Sequence, residues 1–346
     1  METLKLSSGC TILNLACSGH ADYFILSGMF YLMVGDSSSG KTFLTLTALA
    51  EASINKKFDN YDLIYDNAED GALMDVEKFF GKKLATRLKP PKSNSNDPVY
   101  SDTIEEFYFN MFDWIESSKK TNRPFIYLLD SFDALSSKYE GEKFAEARTA
   151  SRKGKKPTGD YGDGKAKVNS RWIRRVRQGL KKTNSILIGL SQTRDNVGGG
   201  MFDQKSTMAG GRSLKFYAAW QLWSSVGQTL KKEVNGKERQ IGITARIKIK
   251  KNRLSGKEWT VEIPIYWSHG IDNIGSCIDY LVDEGHWKKA GAVISAPDLK
   301  FEGRRGILLD KIETEKLELD LHSIVEDVWK DVERQCAVPM KNKYNS

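Results

Sequence analysis

The segment GDSSSGKT, at residues 35–42, constrains the fold of this chain more than any other feature. It follows an apolar run, MFYLMV, and continues into TFLTLTALAEA, which has few helix breakers. The spacing Gly-x4-Gly-Lys-Thr is typical of a phosphate-binding loop between a buried strand and a helix, in which glycines let backbone N–H groups approach phosphate oxygens. The residues that we expect to bind nucleotide are Gly35, Asp36, Ser37, Ser38, Ser39, Gly40, Lys41 and Thr42.

Three further apolar runs predict strands of the same sheet. They are DLIYD at 62–66, PFIYLLDS at 124–131 and SILIGLSQ at 185–192. Their near-continuous apolar character is typical of parallel strands that are covered on both faces. Two later runs, ARIKIKK and WTVEIPIYW, alternate in polarity and predict half-exposed strands, with a hairpin around NRLSG.

This pattern predicts an α/β fold with a central, mostly parallel sheet flanked by helices, followed by a small C-terminal α+β domain. We place the core at residues 1–275 and the small domain at 276–346. In the small domain an apolar stripe at i, i+3, i+4 and i+7 predicts a packed helix through Leu321, Ile324, Val325 and Val328.

The net charge of +8 is concentrated in one segment. Between Lys138 and Thr183 there are fifteen Lys or Arg and five Asp or Glu residues, a local charge of +10, whereas the rest of the chain sums to −2. Such a segment indicates a polyanionic partner, with a solvated basic loop as the simpler alternative. Residues 138–168, rich in Gly and Lys, and residues 193–213, with five glycines, are predicted to be functional loops.

The remaining composition excludes several classes of protein. The four cysteines are widely spaced and the four histidines are scattered, which favours reduced thiols and a metal that arrives only with a nucleotide. No apolar run approaches the roughly 18 residues that span a bilayer. The N-terminus has no secretory pattern, so we expect a cytoplasmic protein without a membrane partner.

Polar residues at the ends of the predicted strands supply the rest of a nucleotide site. Asp130 follows five apolar residues and would hold Mg²⁺ together with Thr42, while Lys41 neutralises the β- and γ-phosphates. Glu69 is the candidate base that polarises water, and Asp66 and Asp70 compete with it on spacing alone. Gln192 ends its strand where an amide would sense the γ-phosphate.

The order of these motifs resembles the RecA family of recombinases. The motifs are DNAE, LLDS, LSQTR, GGRSLKFYAAWQLW, IKIKKNRLSG and SHGIDNIGSCIDYLVDEGHWKKAG. The likeness covers residues 7–335 and is most specific over 192–285. A phage-type recombinase, RecA/UvsX-like, fits best, and the resemblance implies a RecA-like P-loop ATPase core.

The resemblance also implies roles for individual residues. Glu69 would activate water, Gln192 would couple the γ-phosphate to DNA, and Lys251 and Arg253 would reach the nucleotide of the adjacent subunit. Residues 138–168 and 193–213 match the two DNA-binding loops of the family. The expected DNA contacts are Arg152, Lys153, Lys155, Lys156, Arg194, Gly199, Gly200, Met201, Phe202, Lys205, Gly210, Gly211 and Arg212.

The implied function is an ATP- and Mg²⁺-dependent recombinase of a bacterial or phage-infected cytoplasm. It would assemble on single-stranded DNA as a filament, pair that strand with homologous duplex DNA and exchange strands, with a loading or single-strand-binding protein as a further candidate partner. Two alternatives stay open. KKNRLSG also resembles a motif of RadA-like branch-migration motors, which share this core with hexameric helicases. A non-catalytic mediator of the RadB kind is the second, because the N-terminal polymerisation helix and strand of the family are expected to be missing.

Overall fold

The computed structural model describes residues 2–69, 74–95, 97–153, 164–195, 206–208, 211–338 and 340 of the chain. The helices are α1 (Thr11–Ser18), α2 (Lys41–Ile54), α3 (Val76–Arg87), α4 (Ile104–Thr121), α5 (Lys138–Arg152), α6 (Gly164–Thr183), α7 (Arg212–Tyr217), α8 (Asn273–Asp283), α9 (Arg305–Glu315) and α10 (Glu318–Gln335). The strands are β1 (Lys5–Leu6), β2 (Ile25–Leu26), β3 (Phe30–Gly35), β4 (Asp62–Asp66), β5 (Leu88–Lys89), β6 (Lys92–Asn94), β7 (Asp97–Val99), β8 (Phe125–Leu129), β9 (Ile186–Asp195), β10 (Ser206–Met208), β11 (Trp220–Val234), β12 (Lys237–Asn252), β13 (Thr260–Tyr266), β14 (Gly270–Ile271), β15 (Lys288–Ala290), β16 (Val293–Ala296) and β17 (Phe301–Arg304).

One large sheet organises the core. Its order is β14-β13-β12-β11-β3-β9-β8-β4-β5, and β10 pairs with the end of β9. The strands from β11 to β5 in this order are mutually parallel, whereas β11 to β14 pair antiparallel. The predicted α/β fold with a mostly parallel sheet is confirmed. Because parallel strands end at the same edge, the segments after β3, β4, β8 and β9 meet there.

The predicted central strands are confirmed, and their composition explains their position. Every residue of β3, β4 and β8 is buried, as continuous apolar character requires of strands covered on both faces. Alternate side chains of β3 enter two separate apolar clusters. Tyr31 and Met33 pack on the side of α1, α2 and the C-terminal helices, whereas Phe30, Leu32 and Val34 pack on the side of α4, α6 and α7.

A ribbon formed by β11 and β12 extends beyond the sheet. The two strands pair antiparallel up to Val234 and Lys237, and Asn235 and Gly236 form the turn with positive φ. β12 pairs with β13 only from Gly242 onward, and residues 231–240 are all exposed. The predicted hairpin between β12 and β13 is confirmed, whereas the sequence analysis did not predict the longer ribbon.

The C-terminal part is a small α+β unit, as predicted. β15, β16 and β17 form an antiparallel sheet beside α8, α9 and α10. α10 buries Leu321, Val325 and Trp329, and the indole of Trp329 lies 4.8 Å from that of Trp259, measured between ring centroids. The boundary at residues 275/276 stays a prediction. None of the described helices is long and apolar enough to cross a membrane.

Candidate functional site

The phosphate-binding loop lies where β3 ends and α2 begins. Gly35 is the last residue of β3, and a Cβ atom there would lie 2.3 Å from the carbonyl oxygen of Ser224 on β11, so the strand spacing requires glycine. Gly40 precedes α2 with φ of 85°, a conformation that favours glycine. Two serines brace the loop, because Ser224 Oγ donates to Ser39 O at 2.6 Å and Ser39 Oγ donates to Asp36 O at 2.7 Å.

The Lys41 ammonium points into this loop. Its Nζ donates to the carbonyl oxygens of Gly35, at 2.9 Å, and Asp36, at 2.6 Å. Burial lowers the pKa of Lys41, and the carboxylates of Asp130 and Glu69 act in the opposite direction. A buried cation bound only to carbonyl dipoles is a strong site for phosphate oxygens, which supply full negative charge.

Thr42, in the first turn of α2, contacts Asp130, which directly follows β8. Thr42 Oγ1 donates to Asp130 Oδ2 at 2.7 Å, and the hydroxyl of Tyr65 on β4 lies 3.3 Å from the same oxygen. Burial raises the pKa of Asp130, and the hydrogen bond from Thr42 opposes that shift. Because burial disfavours the charged form of this carboxyl group, a cation bound beside it would stabilise the carboxylate.

These two residues fit a magnesium ion. Mg²⁺ prefers hard oxygen ligands and is commonly held by one or two carboxylates together with substrate phosphates and water. The Thr42 hydroxyl and the Asp130 carboxylate supply protein oxygens beside the phosphate loop. Within the described ranges, no group of three or more His, Cys, Asp or Glu side chains is placed to hold a metal by protein ligands alone.

Glu69 connects the ends of three strands. Its Oε1 accepts a hydrogen bond from Gln192 Nε2 at 2.8 Å, and Ser131 Oγ donates to the same oxygen. Its backbone N–H donates to Asp130 O at 3.0 Å. The structure therefore brings Glu69, Asp130 and Gln192 together at the edge of the sheet where the phosphate loop lies.

Asp66, one of the two competitors of Glu69, is a buried structural carboxylate. It accepts hydrogen bonds from Ser101 N at 2.9 Å, Ser101 Oγ at 2.7 Å and the Tyr127 hydroxyl at 2.6 Å. Burial raises its pKa, and the hydrogen bonds oppose that shift. With its side chain enclosed and fully engaged, Asp66 is not placed to activate water. Asp70 lies outside the described residues.

Lys251 and Arg253 lie away from the phosphate loop of their own chain. Lys251 pairs with Gln221 on β11, three residues before Ser224, the residue that pairs with Gly35. Lys251 Nζ donates at 2.7 Å to the carbonyl oxygens of Lys215 and Phe216, and Arg253 Nη2 donates to Phe216 O at 3.0 Å. Burial, reinforced by Arg253, lowers the pKa of Lys251 to about 8.

Comparison with known proteins agrees with this arrangement. A family model described as the RecA N-terminal domain matches residues 153–272, which include Gln192, Lys251 and Arg253. The chain is 28% identical to Protein RecA of Colwellia psychrerythraea over 84% of this chain and 74% of that protein. It is 30% identical to Protein RecA of Leptospira meyeri over 77% and 60%, respectively, and 28% identical to that of Chlorobaculum tepidum over 81% and 72%. Over most of its length the chain is similar to RecA proteins.

The first candidate DNA segment is largely helical. The prediction of a loop over 138–168 is wrong for 138–152, which form α5, and for 164–168, which begin α6. A capping box starts α5: Ser137 Oγ accepts from Glu140 N at 3.2 Å, and Glu140 Oε2 accepts from Ser137 N at 2.8 Å. Arg152 and Lys153 are exposed at the end of α5, whereas Lys155 and Lys156 lie outside the described residues.

The second candidate DNA segment has an ordered base. The prediction of a loop over 193–213 is wrong at both ends and at 206–208. β9 continues to Asp195 and pairs with β10 in an antiparallel hairpin, and α7 begins at Arg212. Gly211 approaches Ala166 of α6 closely, and the Arg212 side chain is exposed. The described residues do not include Gly199, Gly200, Met201, Phe202, Lys205 and Gly210, and the side chain of Arg194 is not described either.

The exposed side of α6 is basic. Ile173, Val176 and Leu180 form the buried side of α6, and Trp172 is half-buried. The Arg171 and Arg175 guanidinium groups lie 4.8 and 5.4 Å from the centre of the Trp172 ring. The exposed cations of this helix, called here the α6 basic face, are Lys167, Arg171, Arg174, Arg175, Arg177, Lys181 and Lys182.

Three residues of the site were missed by sequence reasoning. Tyr65 contacts Asp130, Ser224 braces the phosphate loop, and Asp133 accepts hydrogen bonds from the end of β9. Tyr65 belongs to a predicted strand, but its orientation depends on which strand lies beside it. Asp133 carries only the weak signal of following Asp130 by three residues.

Proposed function

We propose that this chain is an ATP-dependent DNA recombinase that assembles on single-stranded DNA and promotes homologous pairing and strand exchange. The contact of Gln192 with Glu69 supports this proposal most directly. Gln192 contacts Glu69 beside the phosphate loop, and β9, on which Gln192 lies, ends at Asp195, the residue before the glycine-rich sequence 196–205. One residue thus adjoins both the candidate ATP site and a candidate DNA segment.

In this proposal ATP binds across the phosphate loop. The backbone N–H groups of the loop and the Lys41 ammonium hold the β- and γ-phosphates, so Lys41 exchanges its carbonyl partners for phosphate oxygens. Thr42 and Asp130 hold Mg²⁺, which would neutralise charge on the phosphate oxygens. The Thr42–Asp130 hydrogen bond already fixes both oxygens beside the loop.

Glu69 activates the attacking water in this proposal. Its carboxylate is oriented by Ser131 and Gln192, so a water molecule beside the γ-phosphate would meet an acceptor with a fixed direction. Once Gln192 turns toward a γ-phosphate, one of the donors that hold Glu69 is withdrawn. The presence of ATP is thereby transmitted to the end of β9.

In this proposal an adjacent copy of the chain completes the ATP-binding site. Lys251 and Arg253 lie toward the end of the sheet opposite their own phosphate loop, as residues that serve a neighbour would. A cationic contact supplied in trans makes nucleotide binding and assembly mutually dependent. Assembly along DNA is a natural consequence of such a head-to-tail contact.

The α6 basic face and the end of α5 support binding of DNA through its phosphates. Exposed Lys and Arg side chains neutralise backbone charge without reading sequence, which suits an enzyme that acts on any homologous sequence. The aromatic and apolar side chains near single-stranded DNA sites commonly stack with or wedge between bases, the role proposed for Met201 and Phe202.

The test is to measure ATP turnover with and without single-stranded DNA, followed by strand exchange between that strand and a homologous duplex. A recombinase shows ATP turnover that single-stranded DNA stimulates. It also joins the single strand to the homologous duplex, and this pairing does not require a forked duplex. Unwinding of a forked duplex without pairing would favour the motor alternative. Binding of ATP without stimulated turnover would favour the mediator and contradict the proposal.

A further inference from the structure

Three consecutive residues at the end of β9 are held by carboxylates from other elements. Ser191 Oγ and Gln192 N both donate to Asp133 Oδ2, each at 2.7 Å. Thr193 Oγ1 donates to Asp36 Oδ1 in the phosphate loop. Since a charged acceptor forms stronger hydrogen bonds than a neutral one, these contacts fix the backbone on both sides of Gln192.

We propose that Asp133 is a positioning residue for Gln192. By fixing Gln192, Asp133 sets how strongly the site prefers ATP to ADP. The inference rests on the proposed function, because Gln192 is the residue proposed to meet the γ-phosphate. Asp133 does not reach the nucleotide itself in this proposal. It fixes the main chain from which the Gln192 amide extends, and Glu69 then fixes the other end of that side chain at 2.8 Å.

Asp133 also lies beside the start of the first candidate DNA segment. Lys165, at the beginning of α6, is buried, and its Nζ donates to Leu135 O at 2.6 Å and lies 3.4 Å from Asp133 O. The short segment 133–135 therefore contacts α6 through its carbonyl oxygens and β9 through the Asp133 carboxylate. Both candidate DNA segments begin within a few residues of these contacts.

This geometry gives Asp133 a defined energetic role. An amide binds a γ-phosphate effectively only if it is held close to the productive position. If the backbone before it is mobile, ordering that backbone costs free energy and the affinity for the γ-phosphate falls. ADP lacks the γ-phosphate, so its binding does not depend on Gln192. The effect of losing Asp133 is therefore expected in the preference for ATP over ADP rather than in nucleotide affinity as a whole.

The test compares Asp133→Ala with Asp133→Asn. Alanine removes the acceptor, whereas asparagine keeps an oxygen that accepts from Gln192 N and Ser191 Oγ. Affinities for a non-hydrolysable ATP analogue and for ADP are measured without DNA, and ATP turnover is measured with and without single-stranded DNA.

We expect Asp133→Ala to lower the analogue-to-ADP preference and the DNA stimulation about tenfold each, with ADP affinity unchanged, because hydrogen bonds to a charged acceptor are lost. Asp133→Asn is expected to stay within about twofold of the parent protein, since both bonds persist.

The matched control is Asp62→Ala. Asp62 is a buried carboxylate at the opposite end of the sheet, paired with Lys89 at 2.8 Å and Arg123 at 3.1 Å. Its loss is expected to lower the melting temperature. Two ratios should stay unchanged: the analogue-to-ADP affinity ratio, and the ratio of ATP turnover with DNA to turnover without it. Ser191→Ala is a second, milder variant that removes one donor to Asp133 and keeps the backbone bond, with an expected loss of about threefold in each ratio.

The outcomes separate the inference from the proposed function. Parent ratios in Asp133→Ala, or an equal loss of ADP and analogue affinity, would overturn the positioning role. If Asp133→Ala does not fold, parent ratios in Ser191→Ala would overturn it equally. A parent protein without DNA-stimulated turnover contradicts the proposed function alone, because the analogue-to-ADP preference measured without DNA still decides the role of Asp133.

Discussion

The candidate nucleotide site and the α6 basic face are built in opposite ways. At the candidate nucleotide site Lys41 and Asp130 are buried. Lys41 donates hydrogen bonds to carbonyl oxygens of the phosphate loop, and Asp130 accepts one from Thr42. On the α6 basic face the cations are exposed, and Arg171 and Arg175 lie against an aromatic ring. Buried groups depend on each other's position, whereas exposed charges contribute separately and are screened by salt.

This difference matches what each proposed ligand requires. A triphosphate has one shape, and its hydrolysis needs a few atoms in defined positions. A DNA strand of any sequence presents a repeating row of charges, which many cations share. We therefore expect single substitutions at the nucleotide site to abolish a step and single substitutions on the α6 basic face to weaken binding gradually.

The largest expected effect is that of Lys41→Ala on ATP binding. Removing the buried ammonium leaves the phosphates without their cation, and we expect the affinity for a non-hydrolysable ATP analogue to fall at least about 100-fold, measured by calorimetry. Lys167→Ala, which removes an exposed cation from α6, is the matched control and should bind the analogue like the parent. Retention of parent affinity in Lys41→Ala would contradict the loop assignment.

Glu69→Gln is expected to separate turnover from binding. The amide keeps the size of the side chain but cannot take a proton, so ATP turnover with single-stranded DNA should fall about 100-fold or more, as loss of a general base commonly does. Binding of ATP and of DNA should persist. Glu77→Gln, in the first turn of α3, provides the control. Normal DNA-stimulated turnover in Glu69→Gln would remove Glu69 from the mechanism.

Arg174→Ala tests whether loss of one cation from the α6 basic face weakens DNA binding without abolishing it. Loss of one phosphate contact should weaken binding of single-stranded DNA about three- to tenfold at low salt and reduce the slope of log affinity against log salt by about 0.7. Fluorescence anisotropy with a labelled oligonucleotide measures both. Arg334→Ala on the exposed side of α10 is the control. An unchanged slope in Arg174→Ala would place DNA elsewhere.

The smallest expected effect is a pH dependence of assembly through Lys251. Its pKa of about 8 in the folded chain means that its charge is lost as pH rises through that value. Because the pKa of an unfolded lysine is about 10.4, the contribution of this group to folding stability increases between about pH 8 and pH 10.4. Over the same range the proposed contact with a neighbour's phosphates should weaken, because the ammonium loses its charge.

The measurement is DNA-dependent turnover at limiting protein concentration, at about pH 7.5 and about pH 9. We expect the parent protein to need about twofold more protein for half-maximal turnover at the higher pH, since one of several contacts is weakened. Lys251→Arg stays charged throughout and should lose that dependence. An equal shift in both proteins would assign the effect to another group.

The fold and half of the nucleotide site were predictable because they depend on local patterns. β3, β4, β8 and β9 follow from continuous apolar runs, and the phosphate loop follows from the spacing of Gly35, Gly40 and Lys41. The roles assigned to Glu69 and Gln192 stay predictions, although the structure places the two side chains in contact.

What sequence reasoning missed depends on tertiary neighbours. Asp133 meets β9 only because β8 and β9 are adjacent in the sheet, and no spacing within the chain encodes that adjacency. α5 was predicted as a loop from its Gly- and Lys-rich composition. The prediction overlooked the capping box of Ser137 and Glu140, and a cap satisfies the backbone groups that begin a helix even on an exposed segment.

Electron microscopy of the purified chain with single-stranded DNA and a non-hydrolysable ATP analogue tests assembly on DNA most directly. Samples that lack DNA, lack the analogue or carry Lys41→Ala are the controls. We expect helical filaments only when both ligands are present and Lys41 is intact. Closed rings, or isolated subunits with both ligands bound, would contradict the proposal that DNA and ATP together drive these chains into a filament.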